Sequence, residues 1–196
     1  MTVKEETPKL TTRQREGRAI NAVAELLRRT LPVPNIYLAP PSSLIPVDVL
    51  AVDRGGSGDL HAVEIKLLER IPSSAGLTSD LSIARANWSA AVRKKERRGL
   101  MGKLHEQLTS IPAHFRYLAV PIESFDEIFE SLTGIGLYAE DGIGRLGIIT
   151  FSERGSDAPV AEVAFPPERF RVDPAKLKVI ETKLLTKSRP DIEVRV

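Results

Sequence analysis

The chain of 196 residues is 42% hydrophobic and 28% charged, and its formal net charge is only +2. This composition predicts one globular domain with a substantial core, and it excludes a membrane protein because no apolar run approaches the roughly 20 residues of a membrane-spanning helix. The absence of cysteine excludes disulfides, thiolate metal sites and cysteine nucleophiles. Because the N-terminal segment also lacks the apolar stretch of a secretory signal, we expect a cytoplasmic protein with no membrane partner.

The first regular element expected is a helix over about 12–30. Thr11 can cap it, and the prolines that follow it end it. Its apolar stripe runs through Ile20 and Val23, and the helical period places Glu16 on this same stripe. An acid that points at the core requires a cation nearby, so Glu16 is a candidate functional residue.

Three extended segments follow, over about 35–39, 47–53 and 60–68. They are rich in aliphatic residues and are bounded by proline or glycine, which is typical of strands. A glycine-rich connection, Arg-Gly-Gly-Ser-Gly-Asp, joins the second segment to the third. Because this connection suits a hairpin, we expect the two strands to be antiparallel neighbours.

The rest of the chain predicts further helices and strands in a mixed order. The helices are expected over 79–98, 103–110, 124–132 and from Pro174 to about 185, and the strands over 115–120, 135–139, 145–151 and 161–165. This order indicates an α/β fold with a central sheet flanked by helices. We interpret residues 1–10 as a flexible arm, 11–155 as the main domain, and 156–196 as an extension that packs on it.

Charged residues interrupt two of the apolar strands. Asp48 lies within an aliphatic run, and Glu64 and Lys66 share one face of the next strand because side chains alternate along it. Buried charges are costly unless they are paired or bound to a metal. If the hairpin forms, Asp48 and Glu64 converge, and together with Glu16 they supply the carboxylate oxygens that Mg²⁺ prefers.

These residues carry a family resemblance. The segment Pro46-Val47-Asp48, followed after fifteen residues by Glu64-Ile65-Lys66, resembles the signature of the PD-(D/E)xK nuclease superfamily, with Val47 inserted between the proline and the aspartate. That superfamily includes restriction endonucleases, Holliday junction resolvases and RecB-like nucleases. The resemblance covers roughly residues 12–121 and implies a restriction endonuclease-like α-β-β-β-α-β core with a mixed sheet.

The resemblance also implies a set of roles. Asp48 and Glu64 would hold Mg²⁺, or Mn²⁺ in its place, with the backbone carbonyl of Ile65 as a further ligand. Lys66 would orient or activate the attacking water, and Glu16 resembles the acid on the first helix of many members. The expected activity is Mg²⁺-dependent endonuclease cleavage of DNA, in restriction, repair or defence, by an enzyme that is in many relatives a homodimer.

Two further features of the sequence are candidates for a role at this site. A basic run on the predicted 79–98 helix supplies candidate DNA contacts, and its alternative interpretation is a solvated helix face; its members are Arg93, Lys94, Lys95, Arg97 and Arg98. Gln107 is an additional candidate, because some relatives place a glutamine after the lysine to aid the site.

The other motifs in the sequence do not predict a nucleotide-binding site or a histidine metal site. Residues 142–147 match GxGxxG, but they lead into a strand-like segment rather than opening a helix, so we expect no nucleotide cofactor. The three histidines lack metal-ligand spacing, and His61 is interpreted as structural.

Two alternatives to a nuclease stay open. One is a catalytically inactive nucleic-acid-binding module of the same fold. The other is an α/β interaction protein in which Glu64 and Lys66 form an exposed pair and the motif is accidental. Metal binding at Asp48 and Glu64 separates the nuclease from the interaction protein.

Overall fold

A computed structural model describes residues 10–40, 45–55, 57–67, 102–104, 106–126, 128–129, 146–152 and 159–187. Several predicted features lie outside these residues: nearly all of the arm, the 79–98 helix with its basic run, and the strand over 135–139.

The first helix, α1, spans Thr12–Thr30, as its apolar stripe predicts. Thr11 caps it in a capping box: its hydroxyl accepts a hydrogen bond from the Gln14 N–H, and the Gln14 side chain accepts one from the Thr11 N–H. The buried face includes Ile20 and Val23, while Glu25 on the opposite side is exposed.

Three strands follow α1: β1 (Pro34–Leu38), β2 (Val49–Asp53) and β3 (Leu60–Ile65). They form an antiparallel meander in which Val49 pairs with Val63, so the predicted hairpin is confirmed. Every residue of β2 and β3 is buried, because the sheet is covered on both faces.

Three further strands belong to the same sheet: β4 (Phe115–Pro121), β5 (Leu146–Phe151) and β6 (Ala161–Phe165). β4 runs parallel to β3, β5 runs parallel to β4, and β6 pairs antiparallel with β5. Among the described residues, the sheet has six strands in chain order. Because it contains both parallel and antiparallel pairs, the predicted α/β fold with a mixed central sheet is confirmed.

Helices cover both faces of this sheet. α1 packs on one face, where Val23 and Val63 belong to the same apolar cluster. Helical residues 102–104 and 106–110, which precede β4, and the helix Pro174–Lys187 cover the other face through Leu104, Leu108 and Ile180. A short 3-10 turn, Ile122–Ser124, follows β4. The helix, three strands, helix and strand therefore occur in the expected order.

β6 and the helix Pro174–Lys187 belong to the predicted extension: β6 is an edge strand of the sheet, and the helix packs against one of its faces. The proposed boundary near residue 155 lies outside the described residues, so the division into domain and extension stays a prediction. No helix within the described ranges is long and apolar enough to span a lipid bilayer.

Candidate metal and active site

Asp48 lies immediately before β2, and its backbone is held from both sides. Its N–H donates to the Val63 carbonyl at 3.1 Å, and its own carbonyl accepts from the Ala39 N–H at 2.7 Å. Since Val49 pairs with Val63, the same register places Asp48 opposite Glu64. Ala39 adopts a positive φ of 43°, a left-handed conformation that is strained for a residue with a Cβ. The two acids of the motif therefore meet at one end of the hairpin.

A hydrogen bond joins the two halves of the motif. The backbone N–H of Ile65 donates to Asp48 Oδ2 at 2.6 Å. This bond orients the Asp48 carboxylate toward β3, next to the residue that carries the second acid. Asp48 as a whole remains half-buried.

Glu64 is a buried acid whose partner is Lys66. The Glu64 side chain is 8% exposed, and Lys66 Nζ lies 2.5 Å from Glu64 Oε1, while the Lys66 side chain is 34% exposed. Both project from the face opposite Val63 and Ile65, as the alternation along β3 predicts, because those two residues belong to the α1 side of the core. The interpretation of Glu64 as part of an exposed pair is wrong, since its carboxylate is buried.

Burial makes both carboxylates harder to ionise. It raises the pKa of Asp48 above its ordinary value of 3.8, against the lowering effects of the Ile65 hydrogen bond and the Lys66 charge. Burial also raises the pKa of Glu64 above 4.5, and the charges of Asp48 and Glu16 raise it further, while Lys66 opposes both. Both pKa values are raised mainly because burial disfavours the ionised carboxylate, and a divalent cation would stabilise that ionised form.

The position of Glu16 corrects one expectation. Its side chain is exposed, not directed into the core. It occupies the apolar stripe, but it lies near the start of α1, beyond the buried positions that begin at Gly17. Its charge nevertheless acts on Glu64, whose pKa it raises. Glu16 is thus a neighbour at the rim of the site, and its role as a metal ligand stays a prediction.

The donor set fits a magnesium ion only in part. Carboxylates and a backbone carbonyl at Ile65 are hard oxygen ligands, which Mg²⁺ and Mn²⁺ prefer. Within the part of the chain that the structure describes, no three His, Cys, Asp or Glu side chains could together hold a metal ion. Mg²⁺ commonly binds through one or two carboxylates plus water and substrate phosphates, and Asp48 with Glu64 fits that arrangement.

Gln107 lies beside the loop that leads into Asp48. Its Nε2 donates to the Pro46 carbonyl at 3.2 Å. The flanking residues Ile45 and Val47 are buried in the same apolar cluster as Leu108 from the helical segment of Gln107. The Gln107 side chain therefore contacts the backbone of the motif at Pro46. The other predicted substrate contacts, residues 93–98, lie outside the described residues.

A second group of polar residues, not anticipated from the sequence, surrounds the buried Asp59 at the opposite end of β3. Arg169 donates to both oxygens of Asp59, with Nη2 at 2.7 Å from Oδ1. Burial alone would raise the pKa of Asp59, but hydrogen bonds from Arg169 and Ser57 outweigh it, so the pKa lies below 3.8. The partners are separated by 110 positions, so no local sequence pattern indicates this contact.

The histidines near this group have structural roles. His114 Nδ1 accepts a hydrogen bond from the Leu60 N–H at 3.0 Å, and burial lowers its pKa, so we treat its 3.3 Å approach to Asp59 as a contact of a neutral ring and not as an ion pair. His61 stacks on Phe115 at 4.6 Å between ring centroids, and burial lowers its pKa to about 4. The structural interpretation of His61 agrees with this burial.

Comparisons with known proteins add little to this geometry. No protein-family model matches the chain, and no curated protein matches it in sequence. The chain is similar to a protein of unknown function from Silicibacter pomeroyi, with 19% identity and a TM-score of 0.43, over 91% of this chain and 87% of that one. This likeness carries no functional argument.

Proposed function

We propose that this protein is a metal-dependent nuclease that hydrolyses DNA phosphodiester bonds, with its active site at Asp48, Glu64 and Lys66. The observation that carries the proposal is the cross-strand placement of two acids with raised pKa values, joined by the Ile65-to-Asp48 hydrogen bond and neighboured by a lysine on the same strand face. A structural ion pair between Glu64 and Lys66 has no need for a second, half-buried acid beside it.

The roles of the protein groups follow from their positions. Asp48 and Glu64 would hold Mg²⁺ or Mn²⁺, and the backbone carbonyl of Ile65 is a further candidate ligand. When bound, such an ion polarises phosphoryl oxygens, lowers the pKa of water and stabilises the leaving 3′-oxygen. The hydrogen bond from Ile65 keeps the Asp48 carboxylate in a single orientation, which reduces the entropy lost on binding.

Lys66 supplies the positive charge of the site. Its ammonium group lies beside Glu64 and would offer positive charge to a phosphate bound at this site, which lowers the activation barrier. Glu16 is exposed at the rim, where its charge acts on Glu64, and its part in binding the metal ion stays a prediction.

DNA as the substrate rests on the resemblance to PD-(D/E)xK nucleases. An inactive nucleic-acid-binding module remains the alternative, and catalysis separates the two. A binding module would retain affinity for DNA without Mg²⁺-dependent turnover, whereas a nuclease loses turnover when either acid or Lys66 is replaced.

A cleavage assay tests the proposal. Wild type, Asp48→Ala, Lys66→Ala and the exposed-site control Glu106→Gln are compared on linear, supercoiled and branched DNA, with Mg²⁺ and with EDTA. We expect cleavage by wild type and Glu106→Gln in Mg²⁺ only, and a loss of at least about a hundredfold in the other two variants. Activity that survives both site substitutions, or that persists in EDTA, would contradict the proposal.

A further inference from the structure

We propose that Lys66 exchanges partners during the reaction: it holds Glu64 in the free protein and transfers to a substrate phosphate when the metal ion binds. Metal and substrate would then bind cooperatively. This inference rests on the proposed function, and it adds an explanation of how the same site is controlled.

The starting point is the ion pair itself. Lys66 Nζ contacts Glu64 Oε1 at 2.5 Å, so the ammonium occupies an oxygen that a metal ion would also use. A divalent ion at that oxygen would stand within a few ångströms of the ammonium, and two cations so close repel each other strongly. Lys66 and the metal therefore compete for Glu64.

The two partners differ in their freedom to move. The Glu64 carboxylate is buried at 8% exposure and projects from the covered strand β3. The Lys66 side chain is 34% exposed and follows the last residue of that strand, so its flexible stem can move its ammonium toward solvent. Lys66 is therefore the partner that moves away when a metal ion binds to Glu64.

The Lys66 charge also acts on Asp48, but the direct contact of Lys66 is with Glu64. Asp48 Oδ2 accepts from the Ile65 N–H, a neutral donor whose hydrogen bond is compatible with a metal ion on the remaining oxygen lone pairs. The cost of displacing a cation therefore arises mainly at Glu64, and replacement of Lys66 removes that cost.

The destination of Lys66 must be an anion that arrives with the metal. Among the described residues, no three His, Cys, Asp or Glu side chains could together hold a metal ion, and Mg²⁺ and similar ions commonly complete their coordination with water and substrate phosphates. A phosphodiester supplies two oxygens for these purposes. One can bind the metal ion, and the other, which shares the negative charge, can bind the displaced Lys66 ammonium. Substrate binding thus removes the competitor and completes the metal coordination.

Calorimetric titration of the metal-stripped protein with Mn²⁺, with and without a short phosphorothioate DNA duplex, tests this inference. The variants are Lys66→Met, Lys66→Arg, Asp48→Asn and Lys103→Met, an exposed lysine that controls for the loss of one positive charge. Without DNA, we expect Lys66→Met to bind Mn²⁺ about three- to tenfold more tightly than wild type, the amount that a partly exposed competing ion pair accounts for. Lys103→Met should behave as wild type, and Lys66→Arg, which keeps the positive charge beside Glu64, should gain less Mn²⁺ affinity than Lys66→Met.

The duplex provides the second readout. We expect it to tighten Mn²⁺ binding by wild type and to do so much less for Lys66→Met, whose Glu64 has no competitor to release. Equal or weaker Mn²⁺ binding by Lys66→Met, in a protein that retains its wild-type circular dichroism, would overturn the exchange. If Lys66→Met does not fold, Lys66→Gln replaces it with the same expectations.

The Asp48→Asn variant separates a failure of the proposed metal site from a failure of the Lys66 exchange. If it abolishes Mn²⁺ binding while Lys66→Met shows no gain, the metal site stands and the exchange of Lys66 is wrong. If Asp48→Asn binds Mn²⁺ as wild type does, the metal site is wrong, and both the proposed function and the exchange are overturned.

Discussion

The Ile65 N–H donates a hydrogen bond to Asp48 Oδ2 at 2.6 Å, across 17 positions of sequence. This bond exists only in the observed hairpin register, in which Val49 pairs with Val63. A slip of one residue would turn Glu64 to the α1 side of the sheet and break the bond at once. The register of β2 and β3 therefore determines both the fold and the geometry of the candidate site.

The raised pKa of Asp48 predicts a gain of stability when its charge is removed. A carboxylate whose folded-state pKa exceeds its unfolded value of 3.8 favours folding when protonated, so its contribution to stability is lost as the pH rises through the folded-state pKa. In EDTA at pH 8, we expect Asp48→Asn to unfold at higher urea concentration than wild type, because the asparagine oxygen can still accept from Ile65.

Two comparisons test the cause of that gain. The difference between Asp48→Asn and wild type should shrink as the pH falls toward 4, where wild-type Asp48 is increasingly protonated. Glu106→Gln, which replaces an exposed acid, should leave stability unchanged at both pH values. A pH-independent difference would show that Asp48 has no raised pKa in the folded protein.

The left-handed conformation of Ala39 predicts a stabilising substitution. Its φ of 43° strains a residue with a Cβ, and its N–H holds the Asp48 carbonyl at 2.7 Å. We expect Ala39→Gly to raise the free energy of unfolding by about 0.5–1 kcal/mol, since glycine adopts this conformation without strain. Ala39→Val should lower it, because a β-branched residue tolerates positive φ poorly. Equal stabilities of the two variants in urea denaturation would exclude strain at this position.

The contact of Gln107 with Pro46 predicts a positioning role. Gln107→Leu keeps the volume of the side chain but removes the 3.2 Å hydrogen bond to the Pro46 carbonyl. We expect a loss of about 0.5–1.5 kcal/mol in the free energy of unfolding, together with weaker Mn²⁺ binding, because the loop before Asp48 loses one anchor. Glu106→Gln, on the same helical segment, is the control. Unchanged metal affinity in Gln107→Leu would assign the hydrogen bond to stability alone.

Close packing around Gly147 predicts a destabilising substitution. A Cβ at this position of β5 would lie 2.5 Å from Tyr117 Cδ1, so the tyrosine ring must shift. We expect Gly147→Ala to cost about 1–3 kcal/mol in urea denaturation, as overpacking of a core usually does. Gly102→Ala is the matched control, because nothing lies within 4 Å of a Cβ there.

A double-mutant cycle tests whether Tyr117 is the residue that the new Cβ at position 147 meets. In a Tyr117→Leu background, Gly147→Ala should cost clearly less than in wild type, since the ring atoms that meet the new Cβ are gone. An equal cost in both backgrounds would place the clash elsewhere.

The local elements could be predicted from the sequence because their signals are local. Prolines and glycines bound the apolar runs of β1 to β3, and the Arg-Gly-Gly-Ser-Gly-Asp connection indicates the hairpin. Strand alternation then places Glu64 and Lys66 on one face, as observed. Helical phase placed Glu16 on the correct stripe, but it could not show that this part of α1 lies beyond the buried positions.

Features that depend on long-range packing could not be predicted in the same way. The contact between Arg169 and Asp59 joins residues 110 positions apart, and neither lies in a motif. The left-handed Ala39 gives no local signal either, since alanine rarely adopts that conformation. Strand alternation predicts that Lys66 and Glu64 share one face of β3. The distance between Lys66 Nζ and Glu64 Oε1 depends on how deeply β3 is buried, which the sequence does not show.

The most direct test of the central claim is anomalous diffraction from crystals of the protein soaked in Mn²⁺ with a phosphorothioate DNA duplex. The account predicts a Mn²⁺ peak bound by carboxylate oxygens of both Asp48 and Glu64 at about 2.1–2.2 Å, with Lys66 moved from Glu64 to a phosphate. A peak elsewhere, or an undisturbed Lys66 pair with Glu64 and no metal between the two acids, would contradict it.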